Sequence, residues 1–309
     1  MNQKNSFIQK DIFFFLIFFL LIIFIFSPYF FNFKKGKENQ NIFSAFLGQS
    51  FDGIEKIKAI SFLVGDLKNN KIILSKNENI HLYPASISKL ILAMIVIDNL
   101  PLEKEIKISS YALSAEGDSG GLKEGEKIKV LDLLKILLIT SSNDAALAFE
   151  EEFKNQNKDV VDLMNKKVQE IGLKQTAIFD PRGIDRQGNF STSYDLFLLS
   201  KEIYYHYPLI GEITRKKQEI VFSSDQTIEH VLENTNFLTY EMENLWGGKT
   251  GTTPEAGDCL LTIFEFSLKD NHSKEDKFPF VIIVLGSSDR FNETKILYNF
   301  VKDFYLRFF

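Results

Sequence analysis

Read from its N-terminus, the chain starts polar, becomes wholly apolar, and takes on a mixed pattern only after residue 50. The opening MNQKNSFIQKD carries Lys4 and Lys10. From Ile12 to Phe33 there is no charged residue, and the run is long enough to cross a bilayer as a helix. A cleaved signal peptide has a shorter apolar core and a small-x-small exit. Here the exit reads SPYFFNFKKGK, bulky and aromatic, and no cysteine lies near it for lipid attachment. The expectation is a transmembrane signal anchor at 12–33, behind a short cytoplasmic tail at 1–11, with a cleaved leader as the alternative. Lys34, Lys35 and Lys37 follow the span, so charge alone leaves its orientation open.

Residues 34–50, KKGKENQNIFSAFLGQS, have the composition of a linker, and 51–309 then reads as one globular domain. AISFLVGDL and KIILSK flank Asn69-Asn70, the pattern of a β-hairpin around a two-residue turn. Helical periodicity follows in ILAMIVIDNL, KVLDLLKILLIT, SSNDAALAFEEEF and NKDVVDLMNKKVQEIGL, the last stopping at Gly172. In STSYDLFLLSKEIYYHY, Thr192 is placed as an N-cap, with Asp195 in capping-box position. Strands return in GGKTGTTPEAGDCLLTIFEF and FPFVIIVLGSS, and NETKILYNFVKDFYLRFF closes the chain as an amphipathic helix. Strands at both ends and helices between predict an α+β domain. Its antiparallel sheet would join N- and C-terminal strands around a central helical insertion.

Composition narrows the function. The chain is 45% hydrophobic and 25% charged, a globular balance. A net charge of −5 argues against a general nucleic-acid binder. Cys259 stands alone, so no intrachain disulfide forms. His81, His206, His230 and His272 make no metal-ligand spacing, and no metal or organic cofactor is expected. They read as ordinary surface or core residues.

Three short stretches remain. In PASISKL, Ser86 and Lys89 are three apart and share a helical face. A hydroxyl at a helix start sits near the positive dipole end, and a neutral lysine could take its proton. That needs about 3 units of pKa depression, roughly 4 kcal/mol, for which burial and a second cation are the available causes. The ordinary reading is a helix cap beside a snorkelling lysine. Ser141-Ser142-Asn143 lies between two helices, where a plain N-cap is common; the chemical reading is a proton-relaying hydroxyl and a substrate-holding amide. In GGKTGTT, Lys249 and Thr250 could bind a carboxylate, and the glycines admit a neighbouring backbone. A lysine protecting an edge strand is the bland alternative.

SxxK, SxN and KTG in that order resemble the active-site serine penicillin-recognising enzymes. Within them the chain is most similar to the D-alanyl-D-alanine carboxypeptidases of the S11 peptidase family. GLKEGEKIKVLDLLKILLITSSNDAA, FDPRGIDRQGNFSTSYDLFLLS and GGKTGTTPEAGDCLL all resemble family segments, and the likeness covers roughly residues 55 to 309. The resemblance implies a membrane-bound enzyme with its catalytic domain outside the cytoplasm, acting on the D-Ala-D-Ala end of peptidoglycan stem peptides and acylated by β-lactams. Carried over, Ser86 is the nucleophile and Lys89 its base. Ser141 passes a proton to the leaving nitrogen, and Asn143 holds the peptide amide and Lys89. Lys249 and Thr250 meet the terminal carboxylate beside Gly251, with Lys249 also depressing the pKa of Lys89. The N–H groups of Ser86 and Thr252 form the oxyanion hole.

The departures are Ser142, where Ala or Gly is usual, and Arg182, where many relatives carry histidine; many relatives also carry a C-terminal β-rich domain, whereas this sequence stops after the closing helix. A D,D-endopeptidase would use the same residues. A class A β-lactamase would need a glutamate after SxN, and none stands between Gly172 and Ser200. A non-catalytic wall-binding module would not require the full set of reactive residues, and a structural membrane-tethered domain leaves the three motifs unexplained.

Overall fold

The sheet has five strands in the order β2-β1-β9-β8-β7, every neighbouring pair antiparallel. These are β1 (Ser61–Asp66), β2 (Lys71–Lys76), β7 (Leu245–Thr253), β8 (Gly257–Lys269) and β9 (Glu275–Ser287). The computed structural model describes residues 53–185, 188–269 and 275–303. The expected tail, apolar span and linker at 1–50 lie outside the described residues, and no described helix is long and apolar enough to cross a membrane. The chain divides at Lys56, and the architecture here is that of the described residues from Lys56 onward.

β9 sits at the centre because its run Phe280–Leu285 is buried at every position. Side chains alternate faces along a strand, so continuous burial means that both faces are covered. α8 (Arg290–Asp303) packs on β8 and β9, and α5 (Ser193–His206) packs on β1 and β9. Gly65 of β1 admits α5, since a Cβ there would stand 2.4 Å from the Phe197 ring.

The helical part is built around α1 (Lys89–Asn99), in which every residue from Lys89 to Val96 is buried. A helix apolar all round belongs inside a protein. Around it lie α2 (Val130–Ile139), α3 (Asn143–Asn155) and α4 (Val160–Ile171). Asp159 caps α4 by accepting from the Val161 amide, and Gly172 ends it at φ 81°. α6 (Pro208–Thr214) opens on proline, the residue suited to a first helical position. α7 (Leu238–Glu241) is a single turn.

Several expectations change. The first hairpin turns through residues 67–70, because Asp66 pairs with Lys71. Asp66 accepts from the Asn69 amide at 2.8 Å, a side-chain turn that lengthens the loop, and Asn70 takes φ 51°. Thr192 caps α5 by accepting from the Asp195 amide at 3.0 Å. The Asp195 carboxylate does not complete the capping box: it accepts from Gln175 N at 2.7 Å and Thr176 Oγ1 at 2.8 Å. The glycine-bounded strand near the KTG sequence is two strands, β7 and β8, turning at 254–256. Two small sheets were not expected, β3 (Glu105–Lys107) with β4 (Lys127–Lys129), and β5 (Gln218–Phe222) with β6 (Glu229–Glu233). His230 on β6 is a core residue, as expected: its Nε2 lies 2.6 Å from buried Glu126, next to β4, and links the two small sheets.

Candidate active site

Pro84 and Ala85 set the approach to Ser86. Ala85 takes φ 49°, a left-handed conformation that costs a non-glycine residue energy and is held only by its surroundings. A 3₁₀ turn over Ala85–Ser88 follows, and the α-helix begins at Lys89. Ser86 therefore sits one turn ahead of α1 rather than within it.

Lys89 is fully buried, so its amine must find partners inside. Nζ stands 2.8 Å from Ser86 Oγ and 2.8 Å from Asn143 Oδ1, and it also donates to the main-chain oxygen of Arg182. A neutral amine has two hydrogens and one lone pair. Donated to Asn143 and Arg182, the hydrogens leave the lone pair facing the Ser86 hydroxyl. Burial pulls the pKa of Lys89 down to about 7, Asp118, Asp180 and Asp144 push it back up, and Arg182 lowers it. Burial leads, as the sequence allowed, and Arg182 adds a lowering charge; the repulsion between the Lys89 and Lys249 charges, both buried, acts in the same direction.

The SxN segment divides its labour. Ser142 is the N-cap of α3, accepting from the Ala145 amide at 2.9 Å. Ser141, buried at φ 64°, is turned out of the cap, and its hydroxyl bonds to no described residue. Asn143 accepts from Lys89 through Oδ1 and donates through Nδ2 to Glu116 O at 2.7 Å. Its amide donates to Asp118 O, also at 2.7 Å. The Asp144 carboxylate accepts from Ser119 Oγ at 2.7 Å and Gly120 N at 2.9 Å. The loop carrying Glu116 to Gly120 thus belongs to the site although no motif marked it. Its glycines were the available signal: a Cβ on Gly117, at φ +91°, would stand 2.8 Å from Asn143 Nδ2.

β7 brings the third motif alongside. A Cβ on Gly251 would lie 2.8 Å from Ser86 N and 3.0 Å from Pro84 O, so strand and turn are in backbone contact there. β7 is an edge strand, but Lys249 does not protect that edge, since it is 1% exposed and donates to Thr250 O at 3.0 Å. Burial and the nearby Lys89 charge hold Lys249 well below the usual lysine range. Thr250 Oγ1 lies 2.5 Å from Thr235 Oγ1, a second hydroxyl that the sequence did not reveal. Thr252 is exposed, and its hydroxyl donates to Asp258 at 2.9 Å while accepting from Arg290 Nη1 at 2.6 Å. Arg290 Nη1 also donates to Gly251 O at 2.9 Å.

The fourth wall is the FDPRG loop, which carries Arg182. Its side chain pairs with Asp180 at 2.5 Å, and its carbonyl turns to Lys89. Asn189, 1% exposed, fixes the loop by accepting from Phe179 N at 2.6 Å and Asp180 N at 3.1 Å. Gly183, at φ +83°, lies against the serine turn: a Cβ there would stand 2.3 Å from Ala85 O. A cavity of about 670 Å³ between β3 and α3, lined by Ile106, Ser109, Glu151 and Glu152 among others, contains none of these residues.

All three motifs therefore converge. A serine hydroxyl faces a buried amine poised near neutrality, with a second buried lysine and paired threonine hydroxyls beyond it. Such a set can form an acyl-serine and bind an anion beside it. Residues 49–270 match the family model described as D-alanyl-D-alanine carboxypeptidase, Peptidase S11. The chain is 29% identical over 236 residues to a D-alanyl-D-alanine carboxypeptidase of Bacillus subtilis, a match covering 75% of this chain and 58% of the relative. It is 32% identical over 212 residues to a D-alanyl-D-alanine endopeptidase of Escherichia coli, covering 67% of each. A D-alanyl-D-alanine carboxypeptidase structure from Mycobacterium tuberculosis superposes with a TM-score of 0.68 at 23% identity, covering 78% of this chain and 89% of that one. That likeness is one of fold.

Proposed function

This chain belongs to the D-alanyl-D-alanine carboxypeptidase family, peptidase S11, and from that premise we propose that it removes the terminal D-alanine from peptidoglycan stem peptides through an acyl-serine. The observation that carries the reading is the Lys89 amine, 2.8 Å from Ser86 Oγ in a buried site that brings its pKa to about 7. A base near the working pH combines availability with strength.

Lys89 takes the hydroxyl proton as Ser86 Oγ bonds to the carbonyl carbon of the penultimate D-alanine. The N–H groups of Ser86 and Thr252 hold the oxyanion, an interaction often worth about 3 kcal/mol. The C–N bond then breaks, and the proton passes from Lys89 through Ser141 to the leaving D-alanine nitrogen. Water, deprotonated by the same lysine, attacks the ester and restores the serine. Asn143 holds both the substrate amide and Lys89. Lys249 and Thr250, beside Gly251, bind the terminal carboxylate, and Thr235 extends their hydroxyl pair. An arriving carboxylate favours the charged form of Lys249, so docking draws a proton into the site. A β-lactam, whose strained amide mimics the scissile bond, acylates Ser86 and stays.

Residues 12–33 would anchor the enzyme in the membrane with 51–309 outside the cytoplasm, where peptidoglycan lies. The chain spans 58% of the length of the Bacillus relative. A second reading, cleavage of D-Ala cross-links, draws support from the Escherichia coli endopeptidase relative and needs the same residues.

The test is intact mass of the full chain with benzylpenicillin beside Ser86→Ala, followed by D-alanine release from a pentapeptide and from a cross-linked dimer. A lasting adduct on the wild type alone, with release from the pentapeptide, is expected. Cleavage of the dimer alone selects the endopeptidase. An adduct lost within seconds indicates a β-lactamase, and no adduct overturns the acyl-enzyme reading.

A further inference from the structure

We propose that Arg290 is a positioning residue. From the first turn of α8 it holds the carbonyl of the Gly251–Thr252 peptide and so aims the Thr252 N–H into the oxyanion hole. The proposal rests on the acyl-serine reading, in which that N–H and the one of Ser86 receive the oxyanion.

The peptide needs a hold. β7 lies at the edge of the sheet, with β8 on one side only, and Thr252 is its last residue but one. Arg290 Nη1 donates to Gly251 O at 2.9 Å and to Thr252 Oγ1 at 2.6 Å. Asp258 Oδ1 and Cys259 O are farther from it, at 3.3 Å and 3.5 Å, so the guanidinium serves β7 before it serves its ion pair on β8. The Thr252 hydroxyl donates onward to Asp258 at 2.9 Å, which closes the ring of contacts. In a planar trans peptide the carbonyl and the following N–H point opposite ways. Fixing Gly251 O therefore fixes the direction of the Thr252 N–H. A charged donor on the carbonyl also polarises the amide and strengthens that N–H.

The arginine stands on a fixed base. Ser287 Oγ accepts from Asp289 N at 2.8 Å and donates to Glu293 at 2.7 Å. Buried Glu293 accepts in turn from the amides of Lys58 at 2.6 Å and Ala59 at 3.2 Å. The start of α8 is thereby bound both to the end of β9 and to the segment entering β1. The Arg290 side chain is 14% exposed, and its guanidinium carbon stands 5.0 Å from the centre of the Phe291 ring, a cation–π contact that restrains it further.

An arginine near Lys249 and Thr250 could instead bind the carboxylate of the substrate, and a ligand without a carboxylate separates the two roles. Phenylboronic acid is such a ligand. Its boron bonds to Ser86 Oγ as the serine proton passes to Lys89, and an oxygen of the tetrahedral boronate occupies the hole. Arg290→Met keeps an aliphatic stem and removes the donor. In the full chain it is expected to lose about tenfold in affinity for phenylboronic acid and about tenfold in the rate of acylation by benzylpenicillin. The ester carbonyl of its penicilloyl adduct is expected to absorb at higher wavenumber in infrared difference spectra, since a less polarised C=O is stiffer. Arg290→Lys keeps the stem and the charge, and with them the fold, but loses the planar fork, and is expected to move all three readouts the same way by less. Wild-type boronate affinity with an unmoved carbonyl band in the variants overturns the proposal. A rise in KM for the pentapeptide with boronate affinity unchanged also overturns it and assigns Arg290 to carboxylate binding. A wild type that forms neither the penicilloyl adduct nor the boronate complex would overturn the acyl-serine reading itself.

Discussion

Gly251 and the Ser86 amide are packed so closely that a methyl group on Gly251 would stand 2.8 Å from the Ser86 nitrogen. Its other neighbours are Ala85 Cβ at 2.9 Å and Pro84 O at 3.0 Å. None is the free end of a flexible side chain, so β7 and the serine turn must part to admit the methyl. The two N–H groups assigned to the oxyanion hole lie on the two sides of that contact. Gly251→Ala is therefore expected to slow acylation by benzylpenicillin about a hundredfold or more, with an overpacking cost of about 1–3 kcal/mol in melting experiments. Acylation at the wild-type rate in this variant would refute the placement of the hole.

Asn143 gives Lys89 a neutral acceptor at 2.8 Å. Asn143→Asp would put a negative oxygen there. A close opposite charge raises a lysine pKa by about 1–3 units, starting here from about 7. The acid limb of acylation is expected to move up by at least one unit, with the rate at pH 7 down tenfold or more and partly recovered at pH 9. An unmoved limb would mean that Lys89 is not the titrating base.

Lys89 also links stability to pH. Its folded pKa of about 7 lies below the ordinary 10.5, so between these values the unfolded chain binds more protons than the folded one. Stability therefore rises with pH across that window, and the penalty is fully present below about 7. Lys89→Met removes this dependence. The melting temperature of the wild type relative to that of Lys89→Met is expected to climb from pH 7 to pH 10, corresponding to a gain in unfolding free energy on the order of a few kcal/mol. A flat difference would show that the amine is not depressed.

Thr235 reaches Thr250 across 2.5 Å, hydroxyl to hydroxyl. If this pair receives the terminal carboxylate, Thr235→Val removes one polar contact and leaves Thr250 to bind alone. A hydrogen bond to a charged group is worth about 1.5–3 kcal/mol. KM for the pentapeptide is expected to rise about tenfold, with kcat changed less. An equal loss in kcat and none in KM would place Thr235 outside carboxylate binding.

What the sequence reveals here depends on whether a side chain or a main chain does the work. The roles proposed for Ser86, Lys89, Ser141, Asn143, Lys249 and Thr250 belong to their side chains, so their order and spacing expose them. Helix ends are equally visible where a side chain makes the cap, as at Thr192. The oxygens of Glu116, Asp118 and Arg182 leave no such mark, because every residue has a carbonyl. Asp195 was misassigned because its carboxylate serves residues 175 and 176, across chain distances that local patterns do not describe. β3 and β4 are three residues each with one buried apolar position, too short for alternation to register. Thr235 is invisible until β6 delivers it to β7.

Ser142 separates stability from chemistry within one motif. Its hydroxyl accepts from Ala145 N at 2.9 Å and caps α3, whereas its neighbours Ser141 and Asn143 are the ones proposed to act on the substrate. Ser142→Ala removes the cap. Loss of an N-cap serine costs about 1 kcal/mol, and the hydroxyl's contact with Asp144 is lost as well. Asp144 retains Ser119 and Gly120, so the loop carrying Glu116 to Gly120 and Asn143 stay in place. The expected result is a melting temperature lower by a few degrees, with acylation within about threefold of wild type. Ser141→Ala is expected to do the reverse, slowing acylation about tenfold or more with little thermal effect. If instead Ser142→Ala abolished acylation and Ser141→Ala left it untouched, the proton relay would have to be reassigned from Ser141 to the capping serine.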